Sequence, residues 1–551
     1  MSGLYKEFIF ETFNEKGELT KIDFKKDEYY NFAYDVVDRM AWENPDKLAL
    51  VWCNDEGEEK FITFSDVKTY SDKAAAFFRS LGIKKGDAVM LILKRHYEWW
   101  YCMMALHKIG AIAIPVTNQL LTKDLVYRIN AASIKAVVCT SDGEVADYVD
   151  VAQKETDTLS IKIITRKTRD GWLSFEEGLR NAPEFVPPTG EDRPKAEDIM
   201  LMYFSSGTTG MPKMVAHNHY YSLAHIITAV YWHNTDPDGL HLTVAETGWG
   251  KAVWGKLYGQ WLAGTTVFVY DFDRFDPDKL LKRIEKYKVT TFCAPPTIYR
   301  FLIKEDLSRY DLSSLKYCTT AGEALNPEVF NKFREATGIE LMEGFGQTET
   351  TLTLFTAKWM KPKPGSMGKP SPAYNVDLVD ENGNSVEPGQ IGEIVIRLGD
   401  EKPLGLMLGY YRDEERTNQV IKDGLYHTGD TAWRDEDGYF WYVGRTDDII
   451  KSSGYRIGPF EVESVIMEHP AVLECAVTGV PDPVRGNVVK ATIVLAKGYK
   501  PSEELKLEIQ NYVKTHTAPY KYPRVVEFVD ELPKTISGKI RRTEIRARDN
   551  K

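Results

Sequence analysis

Ile199-Met200-Leu201-Met202-Tyr203-Phe204 is an apolar run, and Ser205-Ser206-Gly207-Thr208-Thr209-Gly210-Met211-Pro212-Lys213 follows it directly. The run predicts a buried strand. The hydroxyls and glycines after it predict a tight loop whose backbone N–H groups turn toward one anion, with Lys213 as a mobile positive charge. The spacing is not Gly-x-x-x-x-Gly-Lys-Ser/Thr, which disfavours a P-loop kinase or ATPase. We therefore predict a phosphate-binding loop; the alternative is a flexible surface loop.

Short β-like runs alternate with helical stretches through the first part of the chain. Besides the run before Ser205, they are Ala88–Leu93, Ala111–Val116, Ala136–Thr140, Thr265–Val269 and Thr290–Ala294. This alternation predicts parallel sheets with helical crossovers. Such open sheets bind ligands at the carboxyl ends of their strands, which is where the Ser205 loop lies.

The pattern changes after Pro364 to strands joined by turns. Asn382-Gly383 and Asp437-Gly438 are turn pairs between β-like flanks, and they predict a small subdomain like a distorted β-barrel. From Pro459 onward a helix, two strand-like runs and a further helix predict a compact α+β tail.

Composition limits the possible classes. The 551 residues exceed what one core supports and predict about three or four folding units. The contents of 43% hydrophobic and 27% charged residues are those of a packed globular enzyme. The net charge of -11 argues against a broad nucleic-acid surface.

The sequence also carries signals of location. Its six cysteines form no CxxC pair and show no metal-ligand spacing, which predicts a reducing compartment. The first residues show neither a signal peptide nor a transit peptide, so we predict the cytoplasm. The most apolar stretch, 99–116, is interrupted by charge and predicts a buried helix followed by a strand, not a membrane span.

A second turn-rich segment, Glu343-Gly344-Phe345-Gly346-Gln347-Thr348-Glu349, has the groups that a nucleotide needs. Its aromatic ring can stack on a purine, and its glycines allow close backbone approach. Thr348 can bind a phosphoryl oxygen, and Glu349 can hold Mg²⁺ against phosphates. Taken alone, the segment is better explained as a polar turn.

Three further motifs follow in order. In Tyr426-His427-Thr428-Gly429-Asp430, the last carboxylate can accept both hydroxyls of a ribose. The charged segment 444–451 separates the hairpin region from the tail, and Lys539 lies on a Ser-Gly turn. The alternatives are a bare turn aspartate, a solvated linker and an ordinary surface lysine.

Together these motifs resemble the adenylate-forming superfamily of acyl-CoA synthetases, adenylation domains and luciferases, over about Asp35 to Arg542. Segments 452–459 and 481–486 are most similar to the medium-chain acyl-CoA synthetase branch. The resemblance implies an α/β plus α+β fold. A large N-terminal adenylation domain, 1–444, would contain two parallel-type αβ sheet subdomains and the distorted β-barrel. A hinge, 445–451 with Asp447, would join it to a small mobile C-terminal α+β domain, 452–551.

The resemblance also implies a reaction in two steps. A carboxylate attacks the α-phosphate of ATP to give an acyl-adenylate and pyrophosphate, and the thiol of coenzyme A then displaces AMP. ATP, Mg²⁺ and coenzyme A are the implied cofactors and co-substrates. Since the first step brings anions together, Lys539, Mg²⁺ and the Ser205 loop would neutralise the developing charge. After rotation of the tail, Lys539 would leave and a coenzyme A tunnel would form.

The resemblance assigns residues to each step. The catalytic set would be Lys539, Thr208, Glu349 and Arg456, with Glu349 and Thr208 at the metal. The ATP set would be Ser205, Ser206, Gly207, Thr208, Thr209, Gly210, Met211, Pro212, Lys213, Gly322, Glu323, Glu343, Gly344, Phe345, Gly346, Gln347, Thr348, Asp430, Arg445 and Lys539. The coenzyme A set would be Ser453, Gly454, Tyr455, Arg485, Tyr522, Pro523 and Arg524. Many relatives have proline where this chain has Ala324. This difference would be harmless if backbone atoms of the loop contact the adenine.

The acid is predicted from one position and its surroundings. Acetate-specific relatives place a tryptophan where this chain has Gly346, so acetate is not the expected substrate. Lys251 and Trp254 lie three residues apart and would shorten the pocket. Each methylene of the acid that the shorter pocket excludes would lose about 0.8 kcal/mol of binding free energy. This predicts a short- to medium-chain or branched acid. The predicted pocket is lined by Trp249, Lys251, Trp254, Cys293, Gly322 and Gly346. The alternative places Trp254 in the core and Lys251 outward.

Other functions stay open at this point. Trp249 and Phe345 could accommodate a ring, which allows an aryl-CoA ligase, and loading of a carrier protein in trans is also allowed. A non-enzymatic binding protein would require damage at Lys539, Glu349 or Thr208, and all three are present. The predicted partner is a small carboxylic acid, without nucleic acid or a membrane span, and a homodimer is left open.

Overall fold

The computed structural model describes residues 3–205, 211–452, 455–535 and 539–549. Its strands, in chain order, are β1 Ile9–Phe13, β2 Leu19–Phe24, β3 Leu48–Asn54, β4 Glu59–Thr63, β5 Ala88–Ile92, β6 Ile112–Pro115, β7 Ala136–Thr140, β8 Ile161–Thr165, β9 Leu173–Ser174, β10 Ile199–Ser205, β11 Lys213–Asn218, β12 Leu240–Thr243, β13 Thr266–Asp271, β14 Thr291–Ala294, β15 Tyr317–Thr320, β16 Leu341–Gly346, β17 Leu352–Phe355, β18 Ser366–Pro370, β19 Val376–Val379, β20 Gly392–Arg397, β21 Gly409–Tyr410, β22 Ile421–Lys422, β23 Leu425–Arg434, β24 Phe440–Arg445, β25 Ile450–Ser452, β26 Tyr455–Ile457, β27 Val472–Asp482, β28 Gly486–Leu495 and β29 Val525–Phe528.

The helices occupy the segments between these strands and at the carboxyl end. They are α1 Arg39–Glu43, α2 Phe64–Ser80, α3 Glu98–Ile109, α4 Thr122–Ala132, α5 Val145–Gln153, α6 Phe175–Asn181, α7 Tyr221–Ile226, α8 Lys251–Gly255, α9 Tyr258–Leu262, α10 Pro277–Tyr287, α11 Pro296–Leu302, α12 Pro327–Thr337, α13 Glu414–Val420, α14 Pro459–Met467, α15 Glu503–His516 and α16 Arg542–Asp549.

The first large sheet contains the strand that precedes the phosphate loop. Its order is β21-β11-β10-β6-β5-β7-β8-β9, and β10, β6, β5, β7, β8 and β9 are parallel. The predicted strands at 88–93, 136–140 and 199–204 are confirmed within one or two residues. After the loop the chain returns as β11, antiparallel to β10 with Ser205 opposite Lys213. The loop therefore joins two strands of one hairpin and does not open a helix.

The second large sheet begins as a parallel αβ sheet and continues as antiparallel strands. Its parallel part is β3, β13, β12, β14, β15 and β16. The antiparallel part runs through β17, β18, β24, β23, β20 and β19. The predicted distorted barrel is thus wrong as a closed unit: these described strands form an open row, because β17 pairs with β16 on one side and β18 on the other. The turns at Gly383 and Gly438 are present with φ of 80° and 82°.

Helix α3 shows how the apolar stretch is used. All of its residues are buried, and it packs on α2 while the chain continues into β6. The predicted helix followed by a strand is confirmed. Within the described ranges, no helix is both long and apolar enough to span a membrane. The six cysteines are all buried and unpaired with one another.

The tail has a sheet and a hydrophobic core of its own. The sheet order is β26-β25-β28-β27 with β29 beside β28, and its core is built from α14, α15 and the facing strands. Asp448, next to the predicted hinge residue Asp447, pairs with Arg546 of α16. The tail also contacts the large domain, since Asn326 Nδ2 donates to the carbonyl of Ser464 at 3.2 Å.

Candidate active site

The predicted ATP residues come from the ends of strands in both large sheets. Ser205 ends β10, the Gly322 loop follows β15, and the Gly346 motif ends β16. Asp430 and Arg445 face each other across the β23–β24 ladder. Ser206, Gly207, Thr208, Thr209 and Gly210 lie outside the described residues. Within the described part of the set, hydrogen bonds bring Gln347 and Arg445 together at Asp430.

Glu349 is held by a tyrosine that the sequence prediction missed. The Tyr410 hydroxyl donates to Glu349 Oε1 at 2.9 Å, and Lys213 Nζ donates to the same hydroxyl at 3.3 Å. The pairing of β21 with β11 places Tyr410 there. Burial lowers the pKa of Lys213, and the negative charge of Glu349 opposes that shift. One carboxylate is thus fixed close to the lysine of the phosphate loop.

Asp430 lies in a buried polar pocket. Its Oδ2 accepts from Gln347 Nε2 at 2.5 Å and from Arg445 Nη1 at 3.3 Å, and Tyr442 OH donates to its Oδ1 at 3.1 Å. Burial raises the pKa of Asp430, and Arg445 acts against that rise. The Tyr426 hydroxyl donates to Gln347 Oε1 at 2.7 Å, which orients the amide so that its nitrogen faces Asp430.

Gly429 shows why this pocket needs a glycine. Its φ is +70°, and a Cβ added there would lie 2.7 Å from Arg445 Nη2. A side chain would therefore be strained and would displace the guanidinium. Arg445 also approaches Asp447, with Nε 3.7 Å from Oδ1, so the ribose-binding candidate and the predicted hinge residue share one arginine.

Lys539 is exposed, and its charge acts on two of the predicted site residues. Its charge lowers the pKa of both Asp430 and Lys251, which belong to the predicted ribose and acyl sets. Its backbone N–H donates to Thr535 Oγ1 at 3.1 Å, while its carbonyl accepts from the backbone N–H of Thr535 at 2.7 Å. These two bonds thus tie the backbone of Lys539 to Thr535.

The other predicted site residues of the tail that the structure describes contact groups outside the nucleotide and acyl sets. Arg456, predicted to approach phosphate, pairs instead with Glu381 beside the Asn382-Gly383 turn. The Tyr455 ring stacks on Tyr520 at 4.1 Å, and Arg524 donates to the Tyr522 hydroxyl at 2.7 Å. Ser453 and Gly454 lie outside the described residues.

Two more members of the predicted coenzyme A set contribute backbone contacts within the tail. The carbonyl of Pro523 accepts from Gln510, and the backbone N–H of Arg485 donates to Asp482.

The predicted acyl residues point inward. Lys251 Nζ donates to the carbonyl of Ala321 at 2.7 Å, next to Gly322, so Lys251 does not point outward, while Trp254 belongs to the hydrophobic core as the alternative had it. Burial lowers the pKa of Lys251. Trp254 is 7% exposed, and a Cβ added to Gly346 would lie 2.4 Å from its Cη2 atom. Trp254 therefore fills the space that a side chain at position 346 would take.

Cys293 and Glu323 act electrostatically on Lys251, and the other predicted residues have partners of their own. Cys293 is fully buried at the end of β14, and Trp249 is half-buried just before α8. Glu323 accepts from Thr297 Oγ1 at 2.8 Å, and Phe345 lies 6.4 Å from the ring of Tyr442. Glu343 is buried, accepts from the backbone N–H of Leu325 at 3.2 Å, and has its pKa raised to about 8 by burial.

His217 is a second residue that the sequence prediction missed. It follows Lys213 and Val215 on one face of β11, and its Nε2 donates to the carbonyl of Thr348 at 2.8 Å. Burial lowers the pKa of His217 to about 4, so the ring is neutral. The alternation of Lys213 and His217 after the loop was the available signal in the sequence.

Comparison with known proteins assigns this architecture to a class. Residues 37–411 match the AMP-binding enzyme family, and residues 461–539 match the AMP-binding enzyme C-terminal domain. The chain belongs to the AMP-binding enzyme family.

Its similar relatives within that family are acyl-coenzyme A synthetases. It is 42% identical to the mitochondrial acyl-coenzyme A synthetase ACSM3 of Rattus norvegicus, over 97% of this chain and 93% of the relative. It is 44% identical to the mitochondrial ACSM4 of the same organism, over 94% and 90%. The crystal structure of the anthranilate CoA ligase AuaEII with anthranoyl-AMP matches with a TM-score of 0.87 and 30% identity, over 95% of this chain and 98% of that one. These matches confirm the resemblance seen in the motifs.

Proposed function

We propose that the chain is an ATP-dependent, AMP-forming acyl-CoA synthetase for a short- to medium-chain or branched fatty acid, and not for acetate. The observation that supports this best is the motif 346–349, which contacts Trp254 at Gly346 and Asp430 through Gln347, with the charge of Lys539 acting on Asp430. A nucleotide with its ribose at Asp430 and its phosphates toward Lys213 would present its α-phosphate to an acid lying against Trp254. Similar chains named acyl-coenzyme A synthetases support the same reaction.

In the first step, the residues orient two anions and reduce their repulsion. Asp430 accepts the ribose hydroxyls, and Lys213 with the Ser205 loop, Thr208 included, takes the outer phosphates. Lys539 stands between the sites, where its charge favours attack of the carboxylate on the α-phosphate. Pyrophosphate then leaves, and the acyl-adenylate stays.

The residues present fit a magnesium ion held mainly by phosphates. Among the described residues there is no cluster of three or more acids, histidines or cysteines that could hold a metal. Glu349 supplies a single oriented carboxylate, and Mg²⁺ commonly takes one or two carboxylates with substrate phosphates. Bound there, the ion would neutralise charge on the phosphates, and Tyr410 would keep the Glu349 carboxylate in place.

In the second step, the tail turns about Asp447 and exchanges Lys539 for the coenzyme A residues. The stacked Tyr455 and Tyr520 rings and the Tyr522–Arg524 pair lie on the tail, with a different set of contacts from Lys539. Two residue sets on one movable body suit alternation between two half-reactions. In this proposal Gly454 leaves room for the thiol arm, and Arg485 and Arg524 meet phosphate groups.

The shape of the acyl pocket supports the choice of acid. Gly346 removes the side chain that would restrict the pocket to acetate, while the Trp254 ring occupies part of the released space. Lys251, directed at Ala321, narrows the same region. A pocket narrowed by these two residues would accept a short or branched chain better than a long one.

A second candidate is an aromatic acid. The named ligand of the similar AuaEII structure is anthranoyl-AMP, and Trp249 and Phe345 are ring-bearing residues near the pocket. Transfer to a carrier protein in trans is the third candidate, and it differs only in the thiol acceptor.

The experiment is pyrophosphate exchange followed by coenzyme A-dependent AMP release, with acetate, butyrate, 2-methylbutyrate, octanoate and benzoate. We expect the greatest kcat/KM for butyrate or 2-methylbutyrate. A preference for benzoate would favour the aryl ligase, and exchange without transfer to coenzyme A would favour a carrier protein. Lys539→Ala controls for contaminating activity, since it should abolish exchange.

The cytoplasmic location stays a prediction. The similar relatives are named mitochondrial, and fractionation of cells that express the tagged full-length chain would decide the location here. A homodimer likewise stays open, and sedimentation of the purified chain would test it.

A further inference from the structure

Three buried aromatic side chains connect the acyl wall to the nucleotide motif. We call His217, Tyr221 and Trp254 the aromatic bracket. The His217 and Tyr221 rings stack with centroids 3.8 Å apart and an angle of 23°. Trp254 Nε1 donates to the Tyr221 hydroxyl at 3.3 Å. The three side chains are 1%, 1% and 7% exposed, so the close-packed atoms around them leave little freedom to adjust.

Both ends of the bracket contact the same short motif. At one end the Trp254 ring lies against Gly346, where no Cβ could be added. At the other end His217 Nε2 donates to the carbonyl of Thr348. Between these contacts lies Gln347, whose amide donates to Asp430. The bracket therefore holds the peptide units on both sides of Gln347.

The bond between His217 and Thr348 has a fixed direction. A carbonyl only accepts, so His217 must donate from Nε2. The other nitrogen, Nδ1, is buried without a hydrogen-bond partner in the described part of the chain. A histidine ring with one bonded and one unbonded nitrogen is suited to orient one peptide. Removing the donor would leave the Thr348 carbonyl unsatisfied in a buried place, where such losses are costly.

We propose that His217 is a positioning residue for Thr348, and that Tyr221 carries the position of the Trp254 acyl wall to the same motif, so that acid and ATP binding are coupled. This inference rests on the proposed function. His217 touches neither substrate: it acts by fixing the backbone from which Gln347, Thr348 and Glu349 reach the nucleotide.

The first test compares variants at two neighbouring buried histidines. His217→Leu removes the donor and keeps the bulk, while His217→Gln restores an N–H near the Nε2 position. His219→Leu is the matched control, because the described residues provide no hydrogen-bond partner for either ring nitrogen of His219. We expect H217L to raise the KM for ATP about tenfold in pyrophosphate exchange, H217Q to recover most of that loss, and H219L to keep the wild-type KM.

A purely structural role would give a different pattern. H217L and H219L would then both lose active enzyme, which lowers the apparent kcat, and neither would change the KM. Equal KM values for ATP in H217L and H219L, or no recovery in H217Q, would overturn the inference. If H217L does not fold, His217→Asn takes its place, because its amide reaches only the Nδ1 position and cannot meet Thr348.

The second test concerns coupling. Tyr221→Phe removes the hydroxyl that holds Trp254 but keeps the ring that stacks on His217. We expect Y221F to raise the KM for ATP several-fold, although Tyr221 reaches the motif only through His217 and Trp254. In H217L/Y221F the fold-increase in the KM for ATP should be smaller than the product of the two single increases. Losses that simply multiply would contradict coupling through the bracket.

Direct binding separates this inference from the proposed function. The Kd for MgATP, measured by calorimetry without any acid, should follow the same order as the KM: wild type and H219L tightest, H217Q intermediate and H217L weakest. If wild type binds MgATP but none of the tested acids supports pyrophosphate exchange, the proposed function fails. The Kd series still tests the role of His217 in that case. If wild type does not bind MgATP, both fail.

Discussion

Tyr410 is the residue on which the geometry of Glu349 depends. Its hydroxyl donates to the carboxylate and accepts from Lys213, so one atom aligns the metal candidate with the lysine of the phosphate loop. Hydrogen bonds to charged groups contribute about 1.5–3 kcal/mol, which is more than neutral ones.

We expect Tyr410→Phe to lower kcat/KM in pyrophosphate exchange by about tenfold and to raise the Mg²⁺ concentration needed for half-maximal rate. Tyr411→Phe is the matched control, since the Tyr411 ring lies against Arg412. A magnesium titration of both variants checks this. An unchanged Mg²⁺ requirement in Y410F would show that Tyr410 does not orient Glu349.

Glu343 gives the molecule a pH dependence. Burial raises its pKa to about 8 in the folded chain, above the ordinary carboxyl value. The folded state therefore holds a proton that the unfolded state releases near pH 4.5, and the stability contributed by this group falls as pH rises from there to about 8. The neutral acid accepts from Leu325 and so fixes the loop of Gly322 against β16.

Glu343→Gln imitates the protonated side chain. We expect it to be more stable than wild type at pH 8, by on the order of 1–3 kcal/mol, and equal to wild type near pH 5. Urea unfolding at both pH values checks this, with the exposed Glu335→Gln as the control. A constant difference at both pH values would argue against a buried proton at Glu343.

At the scale of elements, α8 sets the depth of the acyl pocket. The helix begins at Lys251 and carries Trp254 toward Gly346, so one short helix provides both narrowing side chains. Replacing the tryptophan should lengthen the pocket and leave the nucleotide side intact.

We expect Trp254→Ala to move the optimum of the acid series by several methylenes toward longer chains, since each newly buried CH₂ contributes about 0.8 kcal/mol. The measurement is kcat/KM for straight acids from acetate to decanoate. Trp42→Ala, at an exposed tryptophan, controls for general effects. An unchanged chain-length optimum would show that Trp254 does not limit the length of the acyl pocket.

The elements also show what the sequence could and could not predict. Strands such as β7 and β10 were predicted because each is a short apolar run before a polar turn. The barrel was wrong because strand pairing is not local: β18 meets β17 on one side and β24 on the other. Tyr410 and His217 were missed for the same reason, since β21 and β11 bring them to the Thr348 motif from distant parts of the chain.

At the scale of the whole molecule, the tail contacts the large domain at more than one place. Asn326 contacts Ser464, and Arg456 pairs with Glu381. Both contacts would have to break if the tail turns, whereas the Asp448–Arg546 pair joins the hinge region to the last helix. This predicts that a tether across the first contact separates the two half-reactions.

Asn326→Cys with Ser464→Cys, joined by a short bismaleimide, provides such a tether. We expect the tethered chain to release pyrophosphate in one turnover near the wild-type rate and to lose transfer to coenzyme A by about a hundredfold or more. The same double variant without the reagent should perform both steps. Full coenzyme A transfer in the tethered chain would mean that the tail does not need to turn.

The burial of every cysteine has a chemical consequence for an enzyme of this kind. Acyl-adenylates and thioesters are electrophiles that transfer their acyl group to any thiolate within reach. None of the six thiols is more than 4% exposed, and burial raises the pKa of Cys102, Cys139 and Cys475. Burial therefore keeps the thiols of Cys102, Cys139 and Cys475 protonated, so self-acylation at these three positions does not compete with the incoming coenzyme A.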